Sequence, residues 1–287
     1  MGKRPAFRLS PTERQMAWDR WIRGQLGHRV QVEERRVARK ELRRLFGKTV
    51  VQIGGSSRFP LIADSLAPVR FHVMTGCDVV GHAHCPTVCA ELELLPFATE
   101  SIDIVVLQHT LELSEDPHQL LREVERILKP GGRLLIFGFN PQSTWGIRRL
   151  LSTGLDSLVP WQIRYLSVWR AEDWCRLLGL EPELTRYAVY SLPFAKRVIR
   201  RLFKGAEHRL ARREWPVGAV YCVRAKKDRL SAITPSRNPL RRLAQVQPLR
   251  PTLGVGRCHG RSQVDVGSAA NNAEAGCIRD CDDRRLT

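Results

Sequence analysis

Apolar positions in the middle of the chain fall into short runs separated by one helical stripe. Ile102 to Leu107 is apolar apart from Asp103, and Leu134 to Phe139 is a second such run. Runs of this length suit strands buried on both faces of a parallel sheet. Between them Leu120, Leu121, Val124, Ile127 and Leu128 fall on one helical face. Asp116 is placed to cap that helix, with Pro117 in its first turn and Gln119 three residues after the cap. Pro130, Gly131 and Gly132 are expected to stop it. Strand, amphipathic helix, strand predicts a right-handed crossover unit.

The pattern extends both ways. Thr49 to Ile53 is β-branched and apolar and predicts a first strand. Gly54-Gly55-Ser56-Ser57 reads as a turn into a helix over Pro60 to Leu66, and Val69 to Met74 as a second strand. About 16 residues separate that strand from Glu91, too few for a full crossover helix, so a short third strand is expected near Val88 to Glu91. Downstream, Ser167 begins a helix that carries Trp174, Leu177 and Leu178 and ends at Gly179. Glu183 to Leu192 and Ala219 to Ala225 predict an antiparallel closing pair. Upstream, Trp18, Trp21, Ile22 and Leu26 form a short apolar face, and Glu33 to Phe46 a charged helix with Val37, Leu42, Leu45 and Phe46 inward.

Two insertions interrupt this plan. Pro141 to Leu166 follows the fifth strand, at the sheet edge where α/β proteins bind ligands, so it sits where a substrate lid would. Pro193 to Gly218 joins the last two strands and predicts a basic amphipathic helix, Phe194 to Lys204. From Asp228 onward there is no Phe, Tyr or Trp and no apolar period. Such a segment cannot bury enough surface to order itself. The expected organisation is a basic helical lead-in (1–47), an α/β domain (48–227) and a disordered basic tail (228–287).

Composition narrows the class. A chain of 287 residues that is 43% apolar supports one α/β domain of about 200 residues with extensions. No apolar run is long enough to cross a bilayer. Met1 to Ser10 is basic without a hydrophobic stretch behind it, so no secretory signal is expected. Eight cysteines without a disulfide-like framework point to a reduced, cytoplasmic setting. The net charge is +18; residues 1–48 hold 14 Lys/Arg against 5 Asp/Glu, and residues 193–217 hold 8 against 2. That excess reads either as a solvated basic surface or as attraction to an anion: RNA, a phosphorylated substrate or an acidic membrane face.

One block carries a resemblance. Leu95-Pro96-Phe97, the strand from Ile102, Asp116-Pro117 and Lys129-Pro130-Gly131-Gly132 follow one another as in the second half of a class I S-adenosylmethionine-dependent methyltransferase. The chain resembles that superfamily over residues 48–140 and more weakly to 227. It is especially similar to a bacterial subgroup with Gln-Ile-Gly-Gly in the first loop and Gly-Phe-Asn-Pro after the fifth strand. The resemblance implies a Rossmann-like, seven-stranded, mostly parallel sheet with an antiparallel last strand and helices on both faces. It also implies S-adenosyl-L-methionine as cofactor, with the methionine moiety over Gly54, Gly55 and Ser56 and adenine near Glu91-Leu92. Gln108 and His109, at the tip of the fourth strand, would line the pocket, with His109 the candidate general base.

The chain departs from the family at three places in the loop. Gln52 stands where the family has an acid, and Ser56 and Arg58 replace glycines. No acid ends the second strand, and Asp78 is the nearest candidate to grip the ribose. Asn140-Pro141 follows the fifth strand, not the fourth as in amino-group methyltransferases, and reads as a structural turn. Cys77, His82, His84, Cys85 and Cys89 cluster without a standard zinc spacing, and no metal is expected.

The expected function is methyl transfer to an unidentified acceptor, a small molecule or a lipid-like one. The alternative is a non-catalytic or RNA-directed nucleic-acid-binding protein on the same scaffold. Basic ends favour the alternative; the absence of an RNA-binding motif and an aromatic content of 7% count against it. No Gly-x-Gly-x-x-Gly follows the first strand, which disfavours a nicotinamide enzyme.

Overall fold

The computed structural model describes residues 10–56, 59–75, 85–151, 158–161, 163–193, 209, 213 and 215–228. These lie within one compact unit, Met1–Arg237. The predicted helix at Phe194 to Lys204 and the tail after Asp228 lie outside the described residues, as do Ser57, Arg58, Cys77, Asp78, His82 and His84.

Seven strands form one sheet: β1 (Thr49–Gly54), β2 (Val69–Met74), β3 (Thr87–Cys89), β4 (Ile102–Gln108), β5 (Leu128–Phe139), β6 (Leu180–Ala188) and β7 (Val220–Lys227). Their order is β3-β2-β1-β4-β5-β7-β6. β7 alone runs antiparallel to both of its neighbours. The expected Rossmann-like, mostly parallel sheet is the one observed. The strands alternate cleanly between two cores. Val50, Ile104, Val106, Leu135, Phe137 and Phe139 face one side, and Val51, Ile53, Val105, Leu107, Leu134 and Ile136 the other. Both faces are covered, as parallel sheets require.

The first face is covered by α1 (Pro11–Ile22) and α2 (Gln25–Leu42), and by α5 (Thr144–Leu150) and α6 (Leu158–Trp161) of the insertion after β5. The second is covered by α3 (Thr110–Leu113), α4 (Pro117–Ile127) and α7 (Val168–Leu177). Ser10 starts α1 with a capping box, its hydroxyl accepting from the Glu13 amide and Glu13 accepting from the Ser10 amide. Asp116 caps α4 by accepting from the amides of His118 and Gln119. On α2 two carboxylates seven residues apart, Glu34 and Glu41, turn inward. Glu41 accepts from Arg186 Nε at 2.7 Å and Arg224 Nη1 at 2.8 Å, which ties α2 to β6 and β7.

Several expectations need correction. Pro60 to Leu66 is a single 3-10 turn, Leu61–Asp64, because Pro60 and the Ala67-Pro68 pair leave no room for more. The charged helix begins at Gln25 and ends at Leu42, so Phe46 lies beyond it and is 94% exposed. Pro130-Gly131-Gly132 does not stop α4. Leu128 is already extended, and the Pro-Gly-Gly segment forms an irregularity within β5, between the pairs Ile102↔Leu128 and Ile104↔Arg133. Gly131 takes φ 81° there. On α7 the buried residues are Ala171 and Cys175, while Leu177 is 76% exposed. β6 starts three residues earlier than expected and ends at Ala188, where Val189 turns to φ 60°.

Candidate functional site

The loop after β1 is built on Gln52, which is fully buried. Its Oε1 accepts from the Leu61 amide at 2.7 Å, and its Nε2 donates to Gly54 O at 3.1 Å and Gln108 Oε1 at 2.9 Å. A neutral amide therefore does what a carboxylate cannot: it receives the turn that follows the loop and supplies a donor to Gln108. Gly54 and Gly55 take φ values of 74° and 82°. A Cβ at Gly54 would come within 2.6 Å of Thr110 Oγ1, which itself donates to Ile53 O at 2.7 Å. Only glycine fits this left-handed backbone packed against α3.

Beside Gly54 lies a cavity of about 750 Å³, at the carboxyl ends of the parallel strands. Its size is in the range of small-molecule and cofactor sites. The loop after β3 contributes Glu91, Leu92 and Glu93, and α3 and its exit contribute Thr110, Leu113, Ser114 and Glu115. Thr75 follows β2 on the same wall. The fourth side is α1, through Thr12, Arg14 and Gln15. Gln15 Nε2 donates to Gly55 O at 2.8 Å, and Arg14 Nη2 lies 2.9 Å from Glu115 Oε1. These two contacts hold the first helix over the loop.

Beneath the cavity runs a buried polar chain. Gln108 Nε2 donates to Glu34 Oε2 at 2.6 Å; Glu34 Oε1 is 2.5 Å from His109 Nε2; His109 Nδ1 is 2.7 Å from Glu112 Oε2; Glu112 Oε1 accepts from the Phe139 amide at 2.7 Å. His109 is fully buried, with its ring 4.8 Å from Trp18 and 4.2 Å from Phe139, centroid to centroid. Its backbone is left-handed, φ 54°, at the start of α3. Burial alone would depress the imidazole, but the carboxylates of Glu34 and Glu112 overcome that and lift it to about 9. Burial also raises Glu112, against the pull of His109. Next to the loop, burial depresses His72, leaving a neutral ring whose Nε2 lies 2.7 Å from Gly54 O.

The structure thus divides the expected site residues. Gly54, Glu91 and Leu92 line the cavity. Gly55 and Ser56 lie in the adjoining loop, Ser56 buried. Gln108 and His109 sit under the floor and do not line it. His109 holds a carboxylate at each ring nitrogen, so neither is available to accept a proton from an acceptor; its position is that of a structural link. Asn140 is a turn residue, its Nδ2 donating to Pro216 O and Gly218 O and its Oδ1 accepting from the Gln142 amide. Of the Cys/His cluster, Cys85 is buried and Cys89 is exposed at the cavity wall. Sequence reasoning missed Thr12, Arg14 and Gln15, for which no local signal exists. It also missed Glu34 and Glu41, whose seven-residue spacing on the apolar face of α2 was a legible sign of buried carboxylates.

Comparison with known proteins agrees with this architecture. Residues 65–136 match the family described as methyltransferase domain. The uncharacterized protein YafS of Escherichia coli (strain K12) is 45% identical over 87 residues, 30% of this chain and 36% of that protein. The ubiquinone/menaquinone biosynthesis C-methyltransferase UbiE of Klebsiella pneumoniae is 33% identical over 90 residues, 31% of this chain and 35% of the relative. The matched stretch therefore spans about a third of the length of these relatives. Among solved structures, a SAM-dependent methyltransferase of Thermotoga maritima, described as a possible histamine N-methyltransferase, superposes with a TM-score of 0.55. It is 21% identical and covers 74% of this chain and 94% of its own, a likeness of fold. Sheet order and sequence match agree: residues 65–136 match a methyltransferase domain, and the chain shares the fold of the Thermotoga maritima protein.

Proposed function

We propose that the protein transfers a methyl group from S-adenosylmethionine to a small or lipid-like acceptor. The observation that carries this reading is the cavity at the carboxyl edge, with bare glycine backbone on one side and the Glu91-Leu92 pair on the other. The lining fits the cofactor. Gly54 allows close approach of the methionine moiety, Arg14 offers a cation for its carboxylate, and Glu91 an acceptor for adenine or ribose hydrogens. Leu92 supplies an apolar edge for the base. When bound, the cofactor supplies an electrophilic sulfonium methyl.

The chain's own part is to hold and to exclude water. α1 covers the cavity, and the Arg14–Glu115 and Gln15–Gly55 contacts keep it there. With His109 occupied, no general base from β4 faces the acceptor, and catalysis rests on proximity and in-line alignment. The test is incubation of the purified protein with methyl-labelled S-adenosylmethionine and separate lipid, small-molecule, protein and RNA fractions. The reading expects label in the lipid or small-molecule fraction. Label in RNA alone would favour the nucleic-acid alternative, and label nowhere would contradict methyl transfer.

A further inference from the structure

Large apolar side chains stand exposed in sequence-adjacent positions around α5. Ile147 and Leu150 of α5 and its C-cap Leu151 are 58%, 77% and 72% exposed, while Trp145 of the same helix is buried. α5 begins directly after β5, at the edge that holds the cavity. Trp169, in the first turn of α7, is 70% exposed. α7 runs from this edge to the start of β6 at the opposite one, which places Trp169 at the cavity edge. Trp215 and Val217 are also exposed, just before Val220, which pairs with Phe139 at the end of β5. Three separate segments thus bring aliphatic and tryptophan side chains to the same end of the sheet.

Charge singles out the partner. The chain carries +18, and the α5 insertion, residues 141–166, holds three Arg and one Asp. Arg148 and Arg149 stack on Trp161 and Tyr165, which fixes their positive charge beside the exposed aliphatic row. Aliphatic residues in contact with water, tryptophans at the rim and flanking arginines are the composition that favours a lipid interface over an aqueous one.

We infer that the cavity edge docks on an anionic lipid bilayer, with Ile147, Leu150, Leu151 and Trp169 entering the headgroup boundary. Among the described residues no helix is long and apolar enough to cross a membrane, so the contact is one of surface and not of span. Docking in this orientation turns the cofactor cavity toward the membrane. This goes beyond the proposed activity and does not depend on it.

The test is co-sedimentation of the full chain with vesicles of phosphatidylcholine carrying 30 mol% phosphatidylglycerol, at about 0.1 M salt, where surface charges are already partly screened. Vesicles of phosphatidylcholine alone serve as control. The parent protein is expected to bind the anionic vesicles at least tenfold more tightly than the neutral ones. Ile147→Ser with Leu150→Ser and Leu151→Ser should reduce that binding at least tenfold, and Trp169→Ala, on a different element, should reduce it severalfold. Circular dichroism melts and cofactor titration should be unchanged in both variants, which separates failure of docking from failure of the cofactor reading. No binding by the parent overturns the inference, as does binding by the triple variant equal to the parent's. A parent dimer that the triple variant dissolves, or RNA retention lost in parallel, would assign the surface to a second copy or to nucleic acid and would equally overturn it.

Discussion

His109 Nε2 lies 2.5 Å from Glu34 Oε1, a contact between the tip of β4 and a helix 75 residues upstream. With Glu112 on the other ring nitrogen, both N–H groups of an imidazolium find a carboxylate in a site closed to water. An unpaired charge there would be costly, so the three groups stand or fall together. The link anchors the N-terminal helices to the strand that carries the cavity floor.

This pairing sets a pH dependence. His109 is raised to about 9 in the folded chain from an ordinary 6.5. A raised imidazole contributes stability that is fully present below the unfolded value and is lost as pH rises through the folded one. The melting temperature should therefore decline between about pH 6.5 and pH 9, and His109→Gln should flatten that decline. A melt series in which parent and variant lose stability in parallel across this range would contradict the assignment.

Removing Glu34 should do more harm than removing a surface carboxylate. Glu34→Ala leaves the imidazolium and Gln108 Nε2 without their acceptor, with an expected cost of about 3–5 kcal/mol. Chemical denaturation measures it. A loss under 1 kcal/mol would mean that the network rearranges freely.

Gln52 offers a test of why this loop lacks the family's acid. Gln52→Glu removes the donor to Gln108 Oε1 and to Gly54 O. Gln108 cannot turn its amide in response without aiming its oxygen at Glu34. The variant should be less stable by about 1–3 kcal/mol, the cost of leaving buried acceptors unmet. Equal or greater stability in a denaturation curve would refute this account of the substitution.

Glu91 separates binding from folding. It is exposed on the cavity wall and has no part in the core, so Glu91→Ala should leave the melting temperature unchanged. Cofactor affinity should fall about tenfold to a hundredfold, the equivalent of one lost hydrogen bond of about 1–3 kcal/mol. Unaltered affinity would remove Glu91 from the site.

The fold was readable because its signals are local. β4, α4 and β5 follow from two apolar runs, one helical stripe and an Asp-Pro cap. The loop glycines and Glu91-Leu92 were legible because each adjoins the end of such a strand. What stayed hidden depends on contacts distant in sequence. Nothing in the run Gln108-His109 indicates that Glu34 waits behind it, and so a buried ion network read as a pocket lining. The same holds for Arg14 and Gln15, whose role arises only once α1 crosses the glycine loop. The Pro-Gly-Gly segment misled for a different reason: breakers that usually end a helix here shape an irregular strand whose backbone had already become extended at Leu128.

The central claim is that the cavity beside Gly54 holds S-adenosylmethionine. Its most direct test is a calorimetric titration of the parent protein and of Gly54→Val, each first shown to be folded by circular dichroism. The branched side chain meets Thr110 Oγ1 and a left-handed backbone, so some loss of stability accompanies it. The account predicts saturable one-to-one binding by the parent and none by the folded variant. A parent protein that shows no heat of binding at millimolar cofactor would contradict it.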